Sequence, residues 1–252
     1  MDHHFRKKWG QNFLVDKNLL DKIVSTVNPQ ANDHILEIGP GGGVLSERIL
    51  PQVKEMLAVE IDPLLVDQLN KQKNLNELNV IQGDILINNI RDLPIMNPVR
   101  VIGNIPYNIT SPIIFWLIEQ LDYWDDAFVM TQKEVAQRLT AKVGTKAYGR
   151  LTVAVGAYLD VDYRFTIPPN VFIPRPKVDS AFICLTKKKQ PLIEDDNYIK
   201  FKKIVAAAFN QRRKMLRNSM KSWEFSKLIK EKIDFSRRPE SLSIEEFSLL
   251  VK

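Results

Sequence analysis

Ile35-Leu36-Glu37-Ile38-Gly39-Pro40-Gly41-Gly42-Gly43 decides the fold. Its first half is an apolar run of strand length, and its second half is a G-x-G-x-G turn that opens a helix from about Val44. A strand feeding a glycine turn and then a helix is the opening unit of a doubly wound α/β sheet, whose ligands sit at the carboxyl ends of the strands. Glycines at that turn let the backbone approach a ligand closely. A dinucleotide fingerprint requires Gly or Ala at position 44, opening the helix whose N-terminus holds a pyrophosphate, and this chain has Val44 there. A nucleoside cofactor without phosphates is the better match, and the anion at Glu37 argues the same way.

The rhythm continues on both sides of this turn. Leu19, Leu20, Ile23, Val24 and Val27 recur at helical spacing behind Asp16, a suitable N-cap. Strands are expected at His34–Ile38, Met56–Glu60, Val80–Gln82, Val99–Gly103 and Ala127–Met130, with helices after Pro63 and over Ile113–Leu121 and Lys133–Ala141. Asp160–Ile167 and Val178–Leu185 alternate in strand fashion around a Pro-rich turn, which fits antiparallel strands closing one sheet edge. Lys187-Lys188-Lys189-Gln190-Pro191 reads as a linker to a small helical region. The expected organisation is therefore a Rossmann-like catalytic domain over residues 1–186 and a small basic helical domain over residues 187–252.

Three strand ends carry polar groups in succession. Glu60 closes the second strand, where a carboxylate can bind both hydroxyls of a ribose, and Asp84 follows the third, placed to accept from an adenine amino group. Singly, each is an ordinary loop carboxylate. With Gly39 and Gly41 they point to S-adenosylmethionine. The fourth strand runs into Asn104-Ile105-Pro106-Tyr107. The Asn104 carbonyl and a main-chain carbonyl near Pro106 can each accept one hydrogen of an exocyclic amine, while Tyr107 lies against the ring. That arrangement activates an aromatic amine for methyl transfer without a separate general base.

Composition excludes several classes. Of 252 residues, 44% are hydrophobic and 26% charged, as in a soluble globular protein. There is no run of 18 apolar residues, so no membrane span is expected. Met1 to Gly10 lacks the apolar segment of a secretory signal. One cysteine, Cys184, allows no internal disulfide, which is consistent with a reducing, cytoplasmic setting. The histidines at 3, 4 and 34 offer no zinc spacing, and no metal is expected. The net charge of +6 is unevenly spread: residues 187–252 hold 17 Lys/Arg against 9 Asp/Glu, while the rest is near balance. A basic terminal part on a neutral body indicates a polyanionic partner. Arg213, Arg217 and Lys221 fall four residues apart, hence on one face of an expected helix, with Arg212 and Lys214 alongside. Lys142, Lys146 and Arg150 flank a second, weaker candidate loop for substrate contact.

Taken in order, these motifs resemble the bacterial rRNA adenine N6-dimethyltransferase family over essentially the whole chain. Gly10-Gln11-Asn12-Phe13-Leu14 is similar to its N-terminal cofactor motif, and Asn104-Tyr107 to its catalytic N-L-P-Y, with Ile105 for the commoner Leu. Phe172-Ile173-Pro174-Arg175-Pro176-Lys177-Val178-Asp179-Ser180 is similar to its F-x-P-x-P-K-V-D-S loop. The resemblance implies that Gln11, Asn12 and Leu14 line the methionine end of the cofactor and that Phe172 stacks on the target base opposite Tyr107. It also implies dimethylation of two adjacent adenosines in a hairpin near the 3′ end of small-subunit rRNA, acting as a monomer on the 30S particle during its biogenesis.

Phe209-Asn210-Gln211-Arg212-Arg213-Lys214-Met215-Leu216-Arg217-Asn218 separates this group from the macrolide-resistance (Erm) methyltransferases of large-subunit rRNA, in whose catalytic motif Ile105 is at home. A non-catalytic assembly factor on the same fold is a further alternative, opposed by the intact Glu60, Asp84 and Asn104.

Overall fold

Seven strands form one sheet in the computed structural model, which describes residues 12–251. In chain order the sheet strands are β2 (His34–Ile38), β3 (Glu55–Glu60), β4 (Asn79–Gln82), β5 (Val99–Asn104), β6 (Trp124–Gln132), β7 (Leu159–Ile167) and β9 (Ser180–Lys187), arranged β4-β3-β2-β5-β6-β9-β7. Pairings from β4 through β6 are parallel, and β9 enters antiparallel against β6. Two short strands, β1 (Phe13–Leu14) and β8 (Phe172–Ile173), pair separately. The order reverses between β3 and β5 on either side of β2. That is the switch point at which a doubly wound sheet opens a crevice.

Buried strands of such a sheet are covered on both faces and read as continuous apolar runs. Ile35, Leu36, Leu57, Ala58, Val99 and Val101 are all fully buried. Helix α1 (Lys17–Val27) leads into the sheet, and the crossover helices include α2 (Ser46–Ile49), α3 (Pro63–Leu69) and α4 (Thr110–Ile118). Asp16 caps α1, accepting from the Leu19 N–H at 2.8 Å, and Asn28 ends it in the left-handed region at φ 50°. The turn runs one residue past Val44, through Leu45, before α2 starts at Ser46. At the opposite end of the strands, Arg100 donates to both carboxylate oxygens of Asp126, to Asp33 and to the carbonyls of Val27 and Asn28. One guanidinium thus ties the end of α1 to β5 and β6.

The chain divides into two compact units, one of residues 12–133 and 163–186, the other of residues 134–162 and 187–251. This corrects the single cut expected at Lys187: residues 134–162 belong with the C-terminal helices. The reason lies in α6 (Arg150–Gly156), a helix whose residues 151–155 are all buried and which packs on α7 (Tyr198–Asn210) and α10 (Ile244–Leu249). Tyr148, Phe209 and Phe247 form an aromatic stack in the same unit, with ring centroids 6.3 and 5.5 Å apart.

The basic helix expected through Arg213, Arg217 and Lys221 is not formed. Helix α7 ends at Asn210, residues 211–215 turn, and a single short helix, α8 (Leu216–Ser219), precedes Lys221. The Leu216 and Arg217 N–H groups donate to the carbonyls of Arg237 and Phe235 instead of to an α-helical turn before them. Leu216 is buried, whereas Ala206, Ala207, Phe209 and Trp223 are half-buried. Among the described residues, no helix is long and apolar enough to cross a membrane.

Candidate active site

A cavity of about 450 Å³ opens at the carboxyl ends of β2 to β5, within the first unit. Its size is within the range of small-molecule sites. The lining collects most of the sequence-expected residues: Asn12, Leu14, Gly39, Gly41, Glu60, Asp84, Asn104 and Pro106. Gln11 lies outside the described residues.

The glycine turn forms one wall. Gly39, Gly41 and Gly43 all have positive φ, at 69°, 59° and 81°. At Gly41 a side chain would also crowd the Phe13 ring at 3.1 Å, so the positive φ favours glycine there and the space is tight. The Gly41 N–H donates to Glu60 Oε2 at 3.1 Å, and the Asp62 N–H to Glu60 Oε1 at 3.0 Å. These bonds hold a carboxylate that is only 2% exposed at the edge of the cavity. Burial nevertheless pushes the Glu60 pKa up. Glu37 is deeper still, 1% exposed, and accepts from the Ser46 hydroxyl. Burial raises its pKa to about 7, the Ser46 bond opposing and the Glu60 charge assisting. Ser46 starts α2, so the pair closes the two ends of the glycine turn. That pairing had no signal in the sequence, since serine at such a position reads as a helix start. Asp84 caps the short turn Ile85–Ile87, accepting from the Leu86 N–H at 3.0 Å, and its own carbonyl takes the Asn88 amide at 2.7 Å.

Asn104 ends β5. Its Nδ2 donates to the main-chain carbonyl of Asn12 at 2.8 Å. A carbonyl only accepts, so this bond fixes which end of the amide is nitrogen and leaves Oδ1 as the acceptor that Asn104 offers. The Pro106 carbonyl accepts from the Ile109 N–H at 3.0 Å, closing a 3₁₀ turn over Tyr107–Ile109. A carbonyl has two lone pairs, so the turn bond orients this acceptor without exhausting it.

Two expected aromatic positions differ. Phe172 does not face the cavity: it is 2% exposed and packed in the core. It pairs with Leu14 in the β1/β8 ribbon, and strand alternation sends Phe172 inward and Ile173, 48% exposed, outward. Tyr107 is half-buried beside the cavity but not on its lining, and its hydroxyl lies 2.6 Å from Ser180 Oγ. In the second unit, Arg213, Lys214, Arg217 and Lys221 are exposed. Arg212 is committed to the protein, donating to the carbonyls of Lys146 and Thr145 at 2.7 and 3.0 Å.

The chain that builds this cavity has counterparts among known proteins. A model of the family described as ribosomal RNA adenine dimethylase matches residues 2–252. The chain belongs to this family. Family members named ribosomal RNA small subunit methyltransferase A include one from Legionella pneumophila, 42% identical across all of this chain and 98% of its own length. Another, from Prosthecochloris aestuarii, is 43% identical over 97% of this chain and 92% of its own. Among solved structures, a dimethyladenosine transferase from Plasmodium falciparum is similar with a TM-score of 0.81 at 26% identity, covering 94% of this chain and 95% of that one. The 23S rRNA methyltransferase ErmE has a TM-score of 0.74 at 26% identity, over 95% and 98%.

Proposed function

We propose that the chain transfers methyl groups from S-adenosylmethionine to N6 of two adjacent adenosines in a hairpin loop near the 3′ end of small-subunit rRNA, producing N6,N6-dimethyladenosine. The observation that carries this is the fixed amide of Asn104, an acceptor of known orientation on the lining of a nucleoside-sized cavity. The preference for the small subunit is supported by relatives near 40% identity over nearly their whole length that carry that name.

The residues present fit the cofactor. Glu60 is a buried carboxylate suited to ribose hydroxyls, Asp84 sits at the next strand end for an adenine amino group, and the turn at Gly39 and Gly41 admits close backbone approach. Asn12 and Leu14 line the same cavity, and we assign them to the methionine end, with Gln11 beside them in sequence. When bound, S-adenosylmethionine supplies an electrophilic methyl on a sulfonium.

Adenine N6 is a weak nucleophile because its lone pair is delocalised into the ring. Oδ1 of Asn104 and the Pro106 carbonyl would accept its two hydrogens, favouring a pyramidal nitrogen and stabilising the positive charge that develops there. Holding that nitrogen in line supplies the remainder through orientation. The proton then leaves to solvent, so no histidine is required. The target adenine has to be unstacked to enter, and Tyr107 would offset part of that cost. Exposed Arg213, Lys214, Arg217 and Lys221 would meet rRNA phosphates. We place the protein in the cytoplasm, acting as a monomer during small-subunit assembly.

The test is methyl transfer from labelled S-adenosylmethionine to undermethylated small subunits, with large subunits and an Asn104→Ala chain alongside. N6,N6-dimethyladenosine confined to the small-subunit sample and lost in the variant is expected. Label in large-subunit RNA, or full activity in the variant, refutes the proposal.

A further inference from the structure

Ser180 has no role in the chemistry above, yet it makes the only hydrogen bond described for the Tyr107 hydroxyl. The serine is completely buried and begins β9. Its position is set from several directions. Ser180 pairs with Gln132 of β6, and the Asp179 carbonyl just before it accepts from the Lys133 N–H at 3.0 Å. The Asp179 carboxylate also pairs with the Lys133 ammonium at 3.1 Å. The hydroxyl on Ser180 is therefore mounted on the rigid part of the sheet.

Tyr107 is mounted differently. It starts the 3₁₀ turn that follows Pro106, and its ring reaches back to Ser180 through the phenol oxygen, 2.6 Å from Oγ. A tyrosine ring has two soft torsions. A bond at its far end, with Cα held by the turn at the near end, pins the phenol oxygen and with it the first torsion; that oxygen lies on the axis of the second, so the ring plane is set through the preference of the phenol hydrogen bond for lying in it. Phe172 is packed in the core, so of the two aromatics expected to stack on the target base Tyr107 is the one beside the cavity.

We propose that Ser180 is a positioning residue, tethering the Tyr107 hydroxyl so that the aromatic face is preset before an adenine arrives. This rests on the function proposed above. A preset ring spares the substrate the ordering of a side chain and keeps N6 in line with the methyl being transferred, where small misplacements are costly. The bland alternative is that a buried serine hydroxyl and a half-buried phenol merely satisfy each other. That alternative places the cost of losing the bond in stability, with no change in turnover by the folded enzyme.

The experiment compares Ser180→Ala, Tyr107→Phe and the double variant with wild type, on undermethylated small subunits. Turnover, cofactor affinity and thermal unfolding are measured for each. Tyr107→Phe keeps the ring and removes only the tether, so it serves even where the Ser180 variant folds poorly. The expectation is a fall in kcat of about tenfold for each single variant, with cofactor affinity unchanged. The double variant should be no slower than either single one. Tyr107→Phe at the wild-type rate, or single losses that multiply in the double variant, overturns the tether. A wild-type chain inert on small subunits refutes the function proposed above and this inference with it.

Discussion

Replacing Glu37 by Gln should remove a pH dependence of stability that the wild-type chain carries. Glu37 is 1% exposed, and burial lifts its pKa from an ordinary 4.5 to about 7. In the unfolded chain the carboxyl titrates in water at its ordinary value. Between these two values the folded protein therefore binds more protons than the unfolded one. The stabilisation from the neutral carboxyl is complete below about pH 4.5 and is lost as pH rises through about 7. At about 1.4 kcal/mol per tenfold change in proton activity, the loss across this window is on the order of 3 kcal/mol at most. Glutamine has the same shape, keeps an oxygen for the Ser46 hydroxyl and carries no charge. It also relieves Glu60, whose own pKa is raised by burial. Urea unfolding at pH 5 and pH 8 measures the difference. Wild type should lose roughly 1–3 kcal/mol more than the variant between the two conditions, and the variant should be the more stable chain at pH 8. Equal losses would mean that Glu37 is hydrated in the folded state, and the account of its burial would be wrong.

Two further outcomes follow from the geometry. Glu60→Gln should weaken S-adenosylmethionine binding about tenfold to a hundredfold by calorimetry, because a charge-assisted hydrogen bond contributes about 1.5–3 kcal/mol and the Gly41 or Asp62 N–H would then face an amide nitrogen; a change within twofold would remove Glu60 from the ribose. Arg212→Ala should speed tryptic cleavage at Lys142 and Lys146 severalfold while Arg213→Ala does not, since Arg212 bonds the Thr145 and Lys146 carbonyls and Arg213 is exposed; equal cleavage of both variants would show that the loop is ordered without it.

The parallel strands were legible in the sequence because burial on both faces leaves a largely apolar run, unbroken at Met56–Val59 and interrupted once each at Ile35–Ile38 and Val99–Ile102. Strand-end polar residues were legible for a related reason: a carboxylate directly after such a run has few places to be except at the sheet's ligand edge. Helix α6 was not, because Leu151 to Val155 are buried all round, and a β-branched run without a polar face carries no helical period. The basic helix failed for the opposite reason. Charges four apart fit a helix, but amide groups at Leu216 and Arg217 are claimed by Arg237 and Phe235, partners 18 or more residues distant. Phe172 was placed by motif alone, whereas its direction is set by pairing with Leu14, far away in sequence. The Ser180 tether was invisible because a serine at the end of a motif looks the same whether its hydroxyl is used or idle.

The interleaving of the two units has a consequence for how the chain is made. The sheet has all its strands once Lys187 has been synthesised, and its unit can close then. The helices on which α6 packs come later, since α7 begins 42 residues after α6 ends and α10 follows it. At bacterial elongation rates of about 5–20 residues per second, the α6 segment waits roughly 2–10 s for α7 to be made. During that interval a nascent chain carries a finished cofactor cavity beside an unfinished, sticky segment. Slow translation after residue 156 should therefore expose this protein to aggregation and chaperone capture more than slow translation before it.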